Sequence, residues 1–125
     1  MQATFVAALS VAVMVAAPVM AEGNAARGER LFNQQCKACH TVDKDGARTV
    51  GPNLHGLVGR KAGSTEGFSS SDAMKASGIV WDDKTLVEYL KDPKGRVPGT
   101  KMVYVGLKQE TQQEDMVAFL KQATQ

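Results

Sequence analysis

Cysteine and histidine are scarce in this sequence, which has two of each among 125 residues. Two cysteines can form at most one disulfide, so the disulfide network that stabilises many small exported domains is excluded. A structural zinc site takes about four ligands, and His55 is the only further candidate beyond Cys36, Cys39 and His40. The net charge of +2 is too small and too dispersed to indicate a nucleic-acid-binding protein.

Charged side chains are absent from the first 21 residues. An apolar run, FVAALSVAVMVAA, covers residues 5–17 and is followed by Pro18 and small residues up to Ala21. This pattern predicts a signal peptide at 1–21, cleaved after Ala21 to leave one domain at 22–125, although no Lys or Arg precedes the run. An uncleaved membrane anchor is the alternative, but the run is shorter than the ~20 residues of a spanning helix. We therefore expect an exported protein of the periplasm.

Apolar residues are in short supply once the predicted signal peptide is set aside, because that segment is far richer in them than the 43% average of the chain. A small domain already has difficulty in burying enough apolar surface to fold. We therefore expect a large apolar cofactor to complete the core.

Hydrophobic periodicity and capping residues predict a small all-α fold with long loops and no clear strand. The four expected helices run from 24 to 35, from Ser71 or Asp72 to the residue before Gly78, from Asp82 to the residue before Pro93, and behind a capping box of Thr111 and Glu114. The glycine-rich stretch 43–68 and the stretch DPKGRVPGTKMVYVG at 92–106 are expected to be loops. A loop as long as the first is uncommon in a compact domain unless it wraps around something.

Gly28 lies inside the first expected helix, where it costs roughly 1 kcal/mol relative to Ala. The close approach of another helix would explain it, and the last helix places Met116, Phe119 and Leu120 on one face. We therefore expect this face to pack against Gly28 and Phe32.

The stretch QQCKACHTV contains both cysteines and allows four interpretations: part of a zinc site, a redox dithiol, a local disulfide, or covalent attachment of a haem. On a helical turn Cys36, Cys39 and His40 lie at i, i+3 and i+4 and point in one direction. Two sulfurs could then bond the haem vinyl groups while the imidazole reaches the iron. The attachment of a haem is favoured, and the other interpretations stay open.

A haem that is bound through one histidine leaves one axial position. His55, in GPNLHGL, is more simply a surface-loop residue. Met116 is expected in the core and Met74 is ambiguous, whereas Met102, in PGTKMVY, has no helical face to fill. Met102 is therefore the favoured second ligand; a thioether raises the potential relative to a second histidine. A second ligand also occupies the last coordination position of the iron, which favours electron transfer over catalysis.

These stretches resemble the class I c-type cytochromes, and most closely the group formed by mitochondrial cytochrome c and bacterial cytochrome c2. The resemblance covers essentially all of 22–125 and is carried by CKACHTV, GPNLHGLVGRKAG, GIVWDDKTLVEYLKDPKGRVPGTKMVYVGLK and EDMVAFLKQAT. It implies a small cytochrome c fold, in which short helices and long loops wrap around one covalently attached haem c.

The resemblance also implies roles for single residues. Cys36 and Cys39 would form the thioether bonds, His40 and Met102 would bind the iron, Pro52 would orient His40, Arg60 and Trp81 would serve the haem propionates, and Tyr89 and Thr100 would lie beside the ligand sulfur.

Three residues depart from the family pattern. Ser70 and Met74 stand where the family often has Tyr and Asn, so the polar network around one propionate should be thinner and the potential shifted. Tyr104 stands where the family usually has a Phe at the exposed haem edge.

The function that the resemblance implies is a periplasmic one-electron carrier, not an enzyme, with a cytochrome bc complex as donor and a terminal oxidase or photosynthetic reaction centre as acceptor. We expect a monomer that reaches membranes only through these complexes. The candidates for a basic docking face are Lys37, Lys94, Lys101 and Lys108, with Arg30 nearby. One alternative is a haem-based sensor or peroxidase in which Met102 dissociates, and another is a haem-free dithiol–disulfide protein.

Overall fold

The computed structural model describes residues 3–4, 7–14 and 23–125. Its helices are α1 (Ala25–Gln35), α2 (Asp72–Ala76), α3 (Asp83–Lys91), α4 (Pro93–Arg96) and α5 (Glu110–Ala123). Within the described ranges the only β-type pairing is an isolated bridge between Lys61 and Val80. The expected all-α fold of short helices and long loops is therefore confirmed.

The predicted signal peptide falls largely outside the described residues, as does its cleavage site after Ala21, and both stay predictions. Residues 7–14, which are described, form neither helix nor strand and are exposed. No helix in the described part of the chain has the length and apolar character that crossing a membrane requires.

Three helices begin at the side chains that the sequence indicated. Asn24 accepts a hydrogen bond from the backbone N–H of Arg27, and Ser71 caps α2 in the same way. Asp82 forms a reciprocal capping box with Thr85 at the start of α3. Each cap satisfies a backbone donor that a helix N-terminus leaves without an intrahelical partner.

α4 was not predicted, because its sequence was assigned to a loop. Pro93 ends α3, since it supplies no N–H, but a fixed φ suits the first turn of a new helix. The Asp92 side chain accepts from the N–H of Gly95 and caps this turn. The stretch 92–106 therefore begins with one helical turn and continues as a loop only after Arg96.

The capping box predicted for Thr111 and Glu114 is wrong. α5 begins two residues earlier than that box requires, at Glu110, and its N-cap residue Gln109 makes no side-chain cap bond. The side chain of Gln113 is buried and donates to the carbonyl of Leu107 at 2.6 Å. This tertiary contact ties the first turn of α5 to the preceding loop, so the start of the helix does not depend on a local cap.

α1 and α5, the first and last helices of the domain, cross and pack against each other. A Cβ at Gly28 would lie 2.0 Å from the carbonyl oxygen of Asp115, so no larger residue fits there. The rings of Phe32 and Phe119 pack with centroids 5.3 Å apart, and Met116 is fully buried beside them. The helix contact expected from Gly28 is confirmed.

Candidate functional site

A cavity of about 280 Å³ occupies the centre of the domain. It is lined by residues of α1, α2, α3 and α5, by Trp81 between α2 and α3, and by the loops that follow α1 and α4. Its walls are mainly apolar and include the leucines at 54, 57, 86, 90 and 120 together with Phe32, Phe68 and Met116. Eight of the nine residues predicted for the cofactor site line this cavity; the exception is Thr100.

Cys36, Cys39 and His40 continue the helical winding of α1 for one more turn. The N–H groups of Cys39 and His40 both donate to the carbonyl of Cys36, at 3.0 and 2.9 Å. All three residues are half-buried and line the cavity. This is the i, i+3, i+4 arrangement expected from their spacing.

The two cysteines are free thiols in this structure, not a disulfide. Burial, with a smaller contribution from Cys39, raises the pKa of the Cys36 thiol to about 11. A redox dithiol needs a thiolate, which a lowered pKa provides. The environment of Cys36 therefore disfavours the dithiol–disulfide alternative and suits sulfurs that are bonded to a buried group.

The imidazole of His40 has a fixed orientation. Its Nδ1 lies 2.8 Å from the carbonyl oxygen of Pro52, which can only accept, so Nδ1 carries the proton and Nε2 keeps a free lone pair. A Cβ at Gly51 would lie 2.5 Å from the Cε1 of His40, so only glycine leaves room for the ring. Burial lowers the pKa of His40, which favours the neutral ring that binds metals.

Met102 lines the cavity from the loop that follows α4, and two hydroxyls support its backbone. The N–H of Met102 donates to the Oγ1 of Thr100 at 3.3 Å, and this Oγ1 lies 2.7 Å from the Oη of Tyr89. Burial is the main reason that the pKa of Tyr89 is raised, so its hydroxyl stays protonated. Thr100 thus acts from behind the cavity wall, through the backbone of Met102.

Arg60 and Trp81 lie together in a third part of the wall. The guanidinium of Arg60 donates to the carbonyls of His55 and Asn53, and burial lowers its pKa. The backbone N–H of Trp81 donates to the backbone carbonyl of Arg60. The indole ring of Trp81 packs on the ring of Tyr89, with centroids 5.2 Å apart. A half-buried cation in an apolar cavity is suited to holding an anionic substituent of a bound group.

The other residues that the sequence analysis discussed differ in whether they line the cavity. Met74 and Ser70 line the cavity, whereas His55 does not. Among the described residues, no cluster of three or more histidine, cysteine or acidic side chains is placed to hold a metal ion. Arg30 lines a separate depression between α1 and α5.

Gln35 lines the cavity and was not among the site residues predicted from the sequence. The Oη of Tyr104 donates a hydrogen bond to the side chain of Gln35, at the edge of the cavity. No motif marks this glutamine, because the pairing depends on residues 69 positions apart.

The donor set of the cavity fits a covalently attached haem. Two thiols and an imidazole with a free Nε2 line the cavity from the turn that follows α1, and a thioether lines it from the loop that follows α4. The walls between them are apolar, as a porphyrin requires, with one guanidinium for its carboxylates. Imidazole and thioether are both established axial ligands of haem iron.

Comparison with known proteins agrees with this geometry. The family described as Cytochrome c matches residues 25–124. A cytochrome c of Gibberella zeae is 52% identical over 105 residues, which cover 84% of this chain and 99% of the relative. Those of Stellaria longipes and Arabidopsis thaliana are 50% and 45% identical, over 82% and 89% of this chain and 95% and 99% of the relatives.

Proposed function

Because the chain belongs to the cytochrome c family, we propose that it is a soluble one-electron carrier that is exported to the periplasm. Its cofactor is one haem c, attached through Cys36 and Cys39. When bound, the haem supplies an iron that accepts and releases one electron. The residues of the chain attach the haem, fix its axial ligands and exclude water from it.

The observation that carries this proposal is that His40 and Met102 line one cavity from two different loops, each with its own hydrogen-bonded support. Pro52 fixes the imidazole of His40 in the tautomer whose Nε2 can bind iron. Thr100 and Tyr89 support the backbone of Met102. Two permanent ligands leave no open position for a substrate, which favours electron transfer over catalysis, and the thioether raises the potential.

Four exposed lysines, of which Lys101 lines the cavity, support docking to acidic partners. Lys37, Lys94, Lys101 and Lys108 are all exposed. The ammonium groups of Lys101 and Lys108 each donate to a backbone carbonyl, of Ser69 and Lys91, which fixes the positions of two of these charges. A positive face of this kind increases the rate of encounter with acidic surfaces and makes that rate sensitive to salt.

The partners that we propose are a cytochrome bc complex as donor and a terminal oxidase or photosynthetic reaction centre as acceptor. The carrier acts as a monomer and meets the membrane only through these complexes. Export through the signal peptide at 1–21 places it in the periplasm, where such complexes expose their docking sites.

Absorption spectroscopy of the purified periplasmic protein tests the proposal. We expect haem that stays with the denatured chain, sharp bands after reduction, and the weak red-edge band of ferric iron bound by methionine. The ferrous protein should bind carbon monoxide very slowly, and Met102→Ala should bind it rapidly and lose the red-edge band.

Each contrary result points to a different function. Rapid binding of carbon monoxide by the unchanged protein would indicate a sensor or peroxidase in which Met102 is labile. If the protein is produced in a host that attaches haem and shows no haem spectrum, this result would support the dithiol–disulfide alternative.

A further inference from the structure

The segment 101–106 carries Met102 across the edge of the cavity with little backbone support. It is anchored at both ends, because the N–H of Thr100 donates to the carbonyl of Val97 and the N–H of Leu107 donates to the carbonyl of Leu90. Between these anchors, no backbone-to-backbone hydrogen bond of the described chain involves residues 101–106.

Burial holds this segment unevenly, because Met102 and Tyr104 are partly buried against the core whereas the two valines of the segment are not. Val103 and Val105 are 90% and 81% exposed, so their side chains gain little from the closed position. Side-chain hydrogen bonds therefore add to the packing of Met102 and Tyr104 in keeping the middle of the segment against the domain.

Two such bonds are made by residues on either side of Met102 in the sequence, Lys101 and Tyr104. The Nζ of Lys101 donates to the carbonyl of Ser69 at 2.9 Å, in the loop before α2. The Oη of Tyr104 donates to the Oε1 of Gln35, the last residue of α1. Gln35 directly precedes Cys36, so this second bond joins the loop of Met102 to the helix that leads into the attachment motif.

We propose that the Tyr104–Gln35 hydrogen bond is a clasp that holds Met102 in its position, and that Tyr104 is a positioning residue for the sixth ligand. The inference rests on the proposed function, in which Met102 binds the iron. The segment cannot swing outward while Tyr104 is bonded to α1, because only one residue separates Met102 from Tyr104. Breaking the clasp should therefore increase the fraction of time that Met102 spends away from the cavity.

Four variants of the holoprotein test this proposal. Tyr104→Phe removes only the donor hydroxyl, Gln35→Ala removes only the acceptor, and a double variant removes both. Gln34→Ala is the matched control, because Gln34 is an exposed neighbour of the same helix that does not line the cavity.

The first measurement is the rate at which the ferrous protein binds carbon monoxide, since this ligand enters only when Met102 leaves. We expect each single variant to bind about three- to fivefold faster than the unchanged protein, the usual net effect of one partly exposed hydrogen bond. The double variant should bind no faster than the singles, and Gln34→Ala should equal the unchanged protein.

The second measurement does not depend on the iron. Trypsin should cleave after Lys101 faster in Tyr104→Phe and Gln35→Ala, by about the same factor, because cleavage requires the segment to open locally. Cleavage after Lys61 serves as the internal reference, and guanidinium unfolding reports global stability. A residue with a merely structural role would change global stability and both cleavage rates together.

Additive effects in the double variant, or unchanged rates in the singles, would overturn the clasp while leaving the proposed function intact. Rapid binding of carbon monoxide by the unchanged protein would overturn both, because Met102 would then not close the iron.

Discussion

At the scale of single residues, Met74 is the side chain whose chemistry most directly bears on the redox potential. It is half-buried in α2 and lines the cavity together with Met102. Ser70 is buried nearby in the same wall. The thioether at position 74 offers no hydrogen-bond donor to the bound group.

Replacing Met74 with Asn should lower the reduction potential, on the order of tens of millivolts, because a polar wall stabilises the more highly charged ferric state. Redox titration measures the change. Met74→Leu, which keeps the wall apolar, is the control and should retain the original potential. An unchanged potential in Met74→Asn would contradict the predicted effect of this residue.

Single-residue roles were only partly accessible from the sequence. The spacing of Cys36, Cys39 and His40 is local and predicts that they point in one direction, as they do. The resemblance, not the spacing, named Pro52 and Thr100, whose contacts with His40 and Met102 depend on folding. The Tyr104–Gln35 bond had no sequence signal at all.

At the scale of secondary-structure elements, the crossing of α1 and α5 depends on one close backbone approach. Gly28→Ala should destabilise the holoprotein by about 1–3 kcal/mol, because the added methyl overlaps the backbone of Asp115 and must push the helices apart. Guanidinium unfolding provides the measurement. Asn33→Ala, at an exposed position of the same helix, should leave stability unchanged or slightly higher.

The same crossing contains a buried carboxylate whose charge is stabilised by the fold. The hydrogen bond and charge of Arg27, and the N–H of Asn24, hold the pKa of Asp115 below its usual value. Such a group stabilises the native state above the pKa that it has in the unfolded chain, and this contribution is lost as the pH falls through its lower native pKa.

We therefore expect Asp115→Asn to be less stable than the unchanged protein near neutral pH, with the difference shrinking steadily in acid. Guanidinium unfolding at a series of pH values between about 7 and 2 measures it. Asp83→Asn is the control, because the Asp83–Lys121 pair is exposed and contributes little. A difference that stays constant with pH would show that the charge of Asp115 does not matter.

Helix positions were predicted well where the start is encoded locally. Asp82 caps α3 as expected, and the helices expected from Asn24 and from Ser71 or Asp72 begin there with caps from Asn24 and Ser71, since a cap involves residues only three positions apart. The start of α5 was predicted wrongly because the buried side chain of Gln113 sets it through Leu107. α4 was missed because a proline that ends one helix also begins the next.

At the scale of the whole molecule, the cavity lies at the centre of the hydrophobic core. Buried residues from α1, α3 and α5 surround it but do not fill it. A chain of this size, already poor in apolar residues, gains much of its buried surface from the cofactor.

The chain without attached haem should therefore be largely unfolded. A Cys36→Ala and Cys39→Ala double variant, expressed in a host that attaches haem, should lose most of the helical circular dichroism signal of the holoprotein, because binding of the cofactor supplies much of the folding free energy. A cooperatively folded apoprotein with full helical content would contradict this expectation. Gly28→Ala, which keeps both cysteines, should still incorporate haem and retain the signal.

Alone, the sequence determined the all-α class, the starts of three helices, the attachment motif and the Gly28 contact. These follow from short-range regularities: helical periodicity, caps three residues apart, and side chains at i, i+3 and i+4 that share a face. Only the tertiary structure decided which residues close the cavity around Met102, where α5 begins, and which carboxylate is buried at the helix crossing. Those features join residues far apart in the chain, such as Tyr104 with Gln35 and Arg27 with Asp115, and no local pattern encodes a contact that forms only when distant segments are packed together.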